Sequence, residues 1–206
     1  MPEDNASLRE KWDSRYREAR EGGPPARVLS ENLHLLPRTG KALDVACGLG
    51  ANALLLAEQG LETQAWDISE VAVARLRERA GALRLELRAA VRNVAARPPE
   101  PRSFDVIVVS RFLDRSLAPR LIEALRPGGL LFYQTYTLTR VDETGPSNPD
   151  YRLKDGELMT LFAPLRILVY REEGRAGDPK RGFRNEALLV AQKREDRVPG
   201  HFPTPN

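Results

Sequence analysis

The stretch "KALDVACGLGANALLLAEQG", residues 41 to 60, decides the fold. Lys41 to Cys47 is mostly apolar and reads as a buried strand, Gly48 and Gly50 break it, and Asn52 to Gln59 resumes as an apolar helix. A strand that turns on glycines into a helix start makes a pocket for a cofactor, because the first turn of a helix leaves backbone N–H groups without partners. One residue does not belong to a plain buried strand. Asp44 places a carboxylate inside it, and the identity of the cofactor turns on that acid.

Outward from this unit, strands and helices alternate. Upstream, Ser7 to Arg20 reads as a charged helix with Leu8, Trp12 and Tyr16 at steps of four on one face, ended by Gly22 to Pro25. A second helix over Arg27 to Leu36 leads through Pro37 and Gly40 into the opening strand, Ala42 to Ala46. Downstream, "LETQAWD" (61–67) is a second strand, and "SEVAVARLRERA" a helix capped by Ser69. "LRLELRAA" (83–90) alternates with period two, and "FDVIVVS" (104–110) is the most clearly buried strand of the chain. A helix over Ala118 to Leu125, the turn "RPGG" and a fifth strand "LLFYQTY" follow. This order predicts a parallel sheet covered on both faces.

The pattern then changes. Residues 139–152, "TRVDETGPSNPDYR", form a long polar loop before a helix from Asp155 to Phe162. "LRILVYREE" and "RNEALLVAQKR" face each other across "GRAGDPKRGF" as an antiparallel hairpin, and the last residues read as a frayed tail. The expectation is one domain over 1–206. Residues 1–40 supply N-terminal helices, 41–138 the cofactor-binding core, 139–195 the loop, helix and hairpin on the substrate side, and 196–206 a flexible tail.

Composition narrows the class. The 206 residues suffice for one sizeable core, and 32 Lys and Arg against 29 acids, net +3, describe a solvated mixed-charge surface more than a nucleic-acid footprint. Cys47 is the sole cysteine, which excludes a disulfide framework and a cysteine-built zinc site and fits a reducing, cytoplasmic compartment. His34 and His201 stand alone, so no metal site is expected. No run approaches the roughly 20 apolar residues of a membrane span.

"GLGANA" satisfies the dinucleotide pattern G-x-G-x-x-G/A with Ala53 last, and Asp67 stands where a ribose-binding acid belongs. Yet a dinucleotide puts its pyrophosphate against such a turn, and the Asp44 carboxylate just upstream would repel it. S-adenosylmethionine carries no phosphate. Its ammonium, carboxylate and sulfonium suit a nearby acid together with exposed amides, so the residues point to that cofactor.

These motifs resemble the class I S-adenosylmethionine-dependent methyltransferases, and the resemblance covers most of the chain. "LDVACGLGAN" is similar to their first motif, with Asp44 as its acid and Ala46 where glycine is commoner; "AWDIS", "FDVIVVS" and "ALRPGGLLFYQTY" are similar to later motifs, in order. "KWDSRYRE" and "AWDIS" also resemble the branch related to tellurite-resistance methyltransferases. The resemblance implies a Rossmann-like three-layer α/β sandwich on a seven-stranded mixed sheet with the last strand antiparallel. It also implies that Gly48 and Gly50 let the backbone approach the methionine part of the cofactor, that Asp67 receives both ribose hydroxyls, and that Ile68 lies against the adenine. Asp67 alternatively caps the helix at Ser69, and Asp44 alternatively orders the loop. Val91 stands where the family often has an acid for the adenine amino group; valine cannot accept that bond, which leaves Asn93 or a backbone carbonyl. Arg92, Ser110, Trp12 and Tyr16 complete the candidate cofactor set, the last two as a lid or as ordinary packing.

Methyl transfer asks the protein for proximity, alignment and exclusion of water, so no fixed triad is expected. Acceptors in such folds sit beyond the carboxyl ends of the strands. Arg111 and Tyr136 are the candidate catalytic residues there, Arg111 and Arg115 as clamps for an anion, although a salt-bridged surface or helix-end residue is the commoner role for such arginines and a core phenol for such a tyrosine. "SNPDY" (147–151) resembles an amino-methylating motif but follows the wrong strand, so it reads as a turn. The expected partner is a small-molecule acceptor, with the chain a monomer or homodimer. A nucleic-acid or protein methyltransferase, a binding protein without turnover and a nicotinamide oxidoreductase are the competing readings.

Overall fold

A computed structural model describes residues 5–19 and 22–195. The expected flexible tail and His201 lie outside the described residues. Strand β1 (Lys41–Val45) runs parallel between β2 (Glu62–Asp67) and β4 (Phe104–Ser110), and β3 (Leu87–Val91) adds parallel to β2. On the other side β5 (Leu125–Tyr136) lies parallel to β4, and the hairpin of β6 (Arg166–Arg171) and β7 (Glu186–Gln192) adds through β7, antiparallel to both neighbours. The order is β3-β2-β1-β4-β5-β7-β6, the expected seven-stranded mixed sheet of a Rossmann-like fold.

The central strands read as continuous apolar runs because each face is covered. Leu43, Val45, Ile107, Val109 and Leu131 point to one side, where helices α5 (Ala118–Ala124) and α6 (Glu157–Leu161) pack. Ala42, Val106, Val108 and Phe132 point to the other, beneath α2 (Arg27–Ser30) and α3 (Ala51–Glu58), while α4 (Glu70–Ala82) closes over β2 and β3 through Val73, Leu76 and Ala80. Helix α1 (Asn5–Glu18) lies against α4.

Three expected boundaries move, each for a local reason. The helix expected over Arg27 to Leu36 stops at Ser30, because the Asn32 side chain donates back to the Val28 carbonyl at 3.0 Å and a 3-10 turn over Leu33–Leu35 takes over. The third strand starts at Leu87 instead of 83, since α4 runs on to Ala82 and Arg84 enters the left-handed region at φ +56 to turn the chain. The "RPGG" turn belongs to β5. The register against β4 shifts between Phe104 and Val106, and Gly128 at φ +78 absorbs the irregularity.

Beyond the sheet, two loops are folded around guanidinium groups. Arg152, 3% exposed, donates to the carbonyls of Pro146, Thr137 and Thr144 at 2.7, 2.9 and 2.7 Å. Arg184 does the same within the hairpin loop, donating to Gly174, Ala176, Asp178 and Arg181 at 2.9, 2.8, 2.8 and 2.6 Å. "SNPDY" is the turn read from the sequence, with Asn148 Oδ1 accepting from the Asp150 amide at 2.9 Å. Arg152→Met keeps the volume and orphans three carbonyls, so it is expected to lower stability by about 2–4 kcal/mol, from about 1 kcal/mol per lost bond plus the burial of unpaired groups. Urea denaturation measures the loss, and limited proteolysis should find new cleavage within 139–152.

Candidate functional site

At the end of β1 the chain winds through the left-handed region at every second residue: Ala46 at φ +52, Gly48 at φ +53 and Gly50 at φ +79. This winding turns the amides inward. The Cys47 amide donates to the Trp66 carbonyl at 3.0 Å, the Gly50 amide to the Cys47 carbonyl at 2.9 Å, and the Gly48 amide to Asp67 Oδ2 at 2.8 Å. Asp67 Oδ1 takes the Ser69 amide at 2.9 Å, so one carboxylate ties the first turn to the end of β2. The cap of α4 is Ser69 itself, whose Oγ accepts from the Ala72 amide at 3.1 Å; Asp67 stands outside that role.

Asp44 sits behind the turn with no exposure at all, accepting from the Ala53 amide at 3.1 Å and from Asn52 Nδ2 at 3.5 Å. Burial pushes its pKa up to about 7, against the pull of those donors and with help from the nearby Asp67 charge. Burial likewise raises Asp67, opposed by the amides of Ser69, Gly48 and Ile68 and reinforced by Asp13. The partners that act on the two acids are the Asn52 side chain, backbone amides and the charges of neighbouring acids. The site therefore sets two acids in a low-dielectric setting, which suits a ligand that brings positive charge to their ionised form and opposes a pyrophosphate. S-adenosylmethionine fits this donor set.

Helix α1 covers the turn. Tyr16 lies so close over Gly48 that a Cβ there would meet its hydroxyl at 2.7 Å, and Trp12 stacks on Tyr16 with ring centroids 5.8 Å apart. Asp13 fixes the helix, its Oδ1 accepting from Ser69 Oγ at 2.5 Å and from the Val71 amide at 3.2 Å. Burial works against the Asp13 charge, but these bonds and Arg17 outweigh it and hold its pKa below the ordinary carboxylate value. Burial and the Asp67 charge push the Tyr16 phenol well up, and burial does the same to the Cys47 thiol, so neither ionises near neutrality.

The remaining candidates divide. Val91 ends β3 directly beside Asp67 and offers no side-chain acceptor, while half-buried Ile68 follows Asp67 in the chain. Asn93 is committed elsewhere: its Oδ1 accepts from the Ala95 and Ala96 amides at 3.0 and 3.3 Å, and its Nδ2 donates to Asn5. The Arg92 amide bonds to the Asp67 carbonyl at 2.7 Å, but its guanidinium turns away to lie 3.8 Å from the Trp66 ring centroid and to donate to the Arg97 and Pro98 carbonyls. Arg115 is likewise consumed, bidentate on Glu157 at 2.6 and 3.0 Å, and is no free clamp for an anion.

Toward the acceptor side, Ser110 Oγ accepts from Asn52 Nδ2 at 2.9 Å. Arg111, more than half exposed and at φ +53, reaches Glu186 at 3.6 Å. Tyr136 stands opposite Glu186 in the β5–β7 register, its ring against Gly145 and 5.7 Å from the Arg152 guanidinium. The sequence reading missed Asn52 and Gln134, two buried amides that accept the Ala26 and Val28 amides at 2.8 Å each and so pin the strap at 26–28 over the sheet edge. The available signal was polarity inside the apolar runs "ANALLLAE" and "LLFYQTY".

Ala46 spends conformational energy in a conformation that costs an L-residue about 1–2 kcal/mol. Ala46→Gly is expected to raise stability by about 1 kcal/mol, seen as a melting temperature higher by about 2–4 °C.

Comparison with known proteins places the core. A family model described as a methyltransferase domain matches residues 42–129. The chain is similar to Hemagglutinin 1 of Eikenella corrodens, 31% identical over 139 residues that make up 64% of this chain and 46% of that protein. It thus spans about half the length of that curated relative. Among solved structures it is similar to TehB from Haemophilus influenzae, at 24% identity and TM-score 0.64 over 91% of this chain and 68% of that one. A structure described as the conversion of a disulfide bond into a thioacetal group during echinomycin biosynthesis has 23% identity and TM-score 0.69, over 93% of this chain and 94% of that one. The structural likenesses, each under 25% identical, establish the fold, and the domain match makes residues 42–129 similar to a methyltransferase domain.

Proposed function

We propose that the chain, folded as one domain, transfers the methyl group of S-adenosylmethionine to a small-molecule acceptor. The observation that carries this reading is the pair of buried acids held by amides at a left-handed glycine turn, a setting in which a positively charged cofactor favours their ionised form. In it Gly48 and Gly50 keep the backbone close to the methionine end, Asp44 faces the charge of the ammonium, Asp67 accepts from the ribose hydroxyls, and Ile68 and Val91 flank the adenine. Tyr16 and Trp12 cover this half and exclude water. The cofactor brings an electrophilic methyl carbon; the chain contributes alignment and a dry site.

The small-molecule acceptor is favoured by the chain's mixed surface charge, net +3, with arginines such as Arg115, Arg152 and Arg184 folded inward on acids or carbonyls and not displayed as a phosphate-binding stripe. Among the described residues no helix is long and apolar enough to cross a membrane. The lone thiol accords with a reducing, cytoplasmic setting. A second reading, binding without turnover, is favoured by Val91 and by the commitment of Asn93 to its own turn; release of S-adenosylhomocysteine with any acceptor would exclude it.

Calorimetric titration tests the proposal. S-adenosylmethionine and S-adenosylhomocysteine should bind saturably and NADH should not, and Asp67→Ala should weaken binding by about 1–3 kcal/mol, the scale of a lost charge-assisted hydrogen bond. The pH dependence has a fixed sign. Asp44 is held protonated up to about pH 7 in the free protein, and a cation binds its ionised form. Affinity should therefore fall as pH drops below about 7, by up to about tenfold per pH unit. Asp44→Asn should bind more weakly at pH 8 and lose that slope; a wild-type affinity flat from pH 5.5 to 8 would remove Asp44 from the binding role.

A further inference from the structure

At the carboxyl ends of β4 and β5 and the amino end of β7, beyond the glycine turn, one carboxylate is set up for a ligand that donates a hydrogen bond. Gln134 is 2% exposed, and its Oε1 accepts the Val28 amide at 2.8 Å. An amide N–H only donates, so the Gln134 orientation is fixed by that bond, and its NH2 must face the other way. There Nε2 donates to Glu186 Oε2 at 2.5 Å. The acid is thus aimed by a relay anchored in the strap. Its other oxygen, Oε1, meets among the described residues only Arg111 Nε, at 3.6 Å, beyond hydrogen-bond range. With 55% of its side chain exposed, Arg111 is a screened and mobile partner, whereas the Glu186 side chain is only 12% exposed. Tyr136 faces Glu186 across the strand pair, and Ser110 pairs with Gln134 in the β4–β5 register.

We propose that Glu186 Oε1 recognises the methyl acceptor, and that the acceptor is a small amine or alcohol presenting an N–H or O–H group there, not an anion gripped by Arg111. This rests on the methyl-transfer reading and deepens it. In the step it implies, the acceptor's lone pair forms the new bond to the methyl carbon, the electrons of the breaking C–S bond remain on sulfur as S-adenosylhomocysteine, and the acceptor's proton passes to Glu186. Gln134 acts as a positioning residue. Arg111 is the exposed counter-ion beside the acid and takes no part in recognition.

Ligand-observed NMR on the full chain saturated with S-adenosylhomocysteine tests this with benzylamine, benzyl alcohol and benzoate, one scaffold bearing three head groups. Binding of S-adenosylhomocysteine is first measured by calorimetry; its absence would overturn the methyltransferase reading itself, separately from the proposal. Given that binding, benzylamine and benzyl alcohol should show saturable contact and benzoate none. Glu186→Gln, which keeps the shape and leaves S-adenosylhomocysteine affinity unchanged, should weaken benzylamine at least tenfold. Gln134→Leu should weaken it as well and Arg111→Gln should not. Benzoate binding that Arg111→Gln abolishes, amine binding indifferent to Glu186→Gln, or no binding of any of the three would each overturn it.

Discussion

Two carboxylates at the carboxyl ends of adjacent parallel strands, answered only by amides, constrain everything around them. Asp44 and Asp67 are nearly or wholly buried, and each is satisfied by backbone N–H groups that must be brought to it. The left-handed winding from Ala46 to Gly50 delivers the Gly48 amide, and the start of α3 delivers the Ala53 amide. The glycines are therefore not there for flexibility; they let the chain wrap an acid. The same arrangement disfavours a dinucleotide, because a pyrophosphate would share this low-dielectric space with two carboxyl groups and oppose the ionisation of both.

From that wrapped turn the rest of the site follows by adjacency. Asn52, on the first turn of α3, touches Asp44 and gives its NH2 also to Ser110 at the end of β4, and Gln134 repeats the motif one strand further on. Each amide spends its oxygen on the strap at 26–28. The strap is thus held over the sheet edge by bonds to the strands whose ends define the two halves of the site. The two halves of the candidate site, the proposed cofactor side and the proposed acceptor side, share one roof.

The cofactor half was legible in the sequence because it is written in short-range terms. Strand, glycine turn and helix are contiguous between residues 41 and 60, and Asp67 and Val91 fall at strand ends that hydrophobic runs locate. The acceptor half was not, because its meaning lies in partners far along the chain: Gln134 and Val28 are 106 residues apart, and Arg115 meets Glu157 across 42. Periodicity reports which face of an element is buried and is silent on where a polar side chain on that face will find its bond. The same silence left Arg115 open between a clamp and an ion pair and sent the second helix past Asn32, whose side chain competes for the backbone.

The loops at 139–152 and 172–184 are organised mainly by hydrogen bonds, with Phe183 of the second anchored in the core. Each is braced by the forked donors of an arginine on carbonyls, Arg152 or Arg184, with Arg115 and Asn185 adding bonds to the first loop. A loop keyed by one internal guanidinium is a cassette: its tip residues can be exchanged freely so long as the key and a few carbonyls persist. Selectivity on the acceptor side can in this way drift through evolution, or be rewritten by a designer, while the half that handles the cofactor stays untouched.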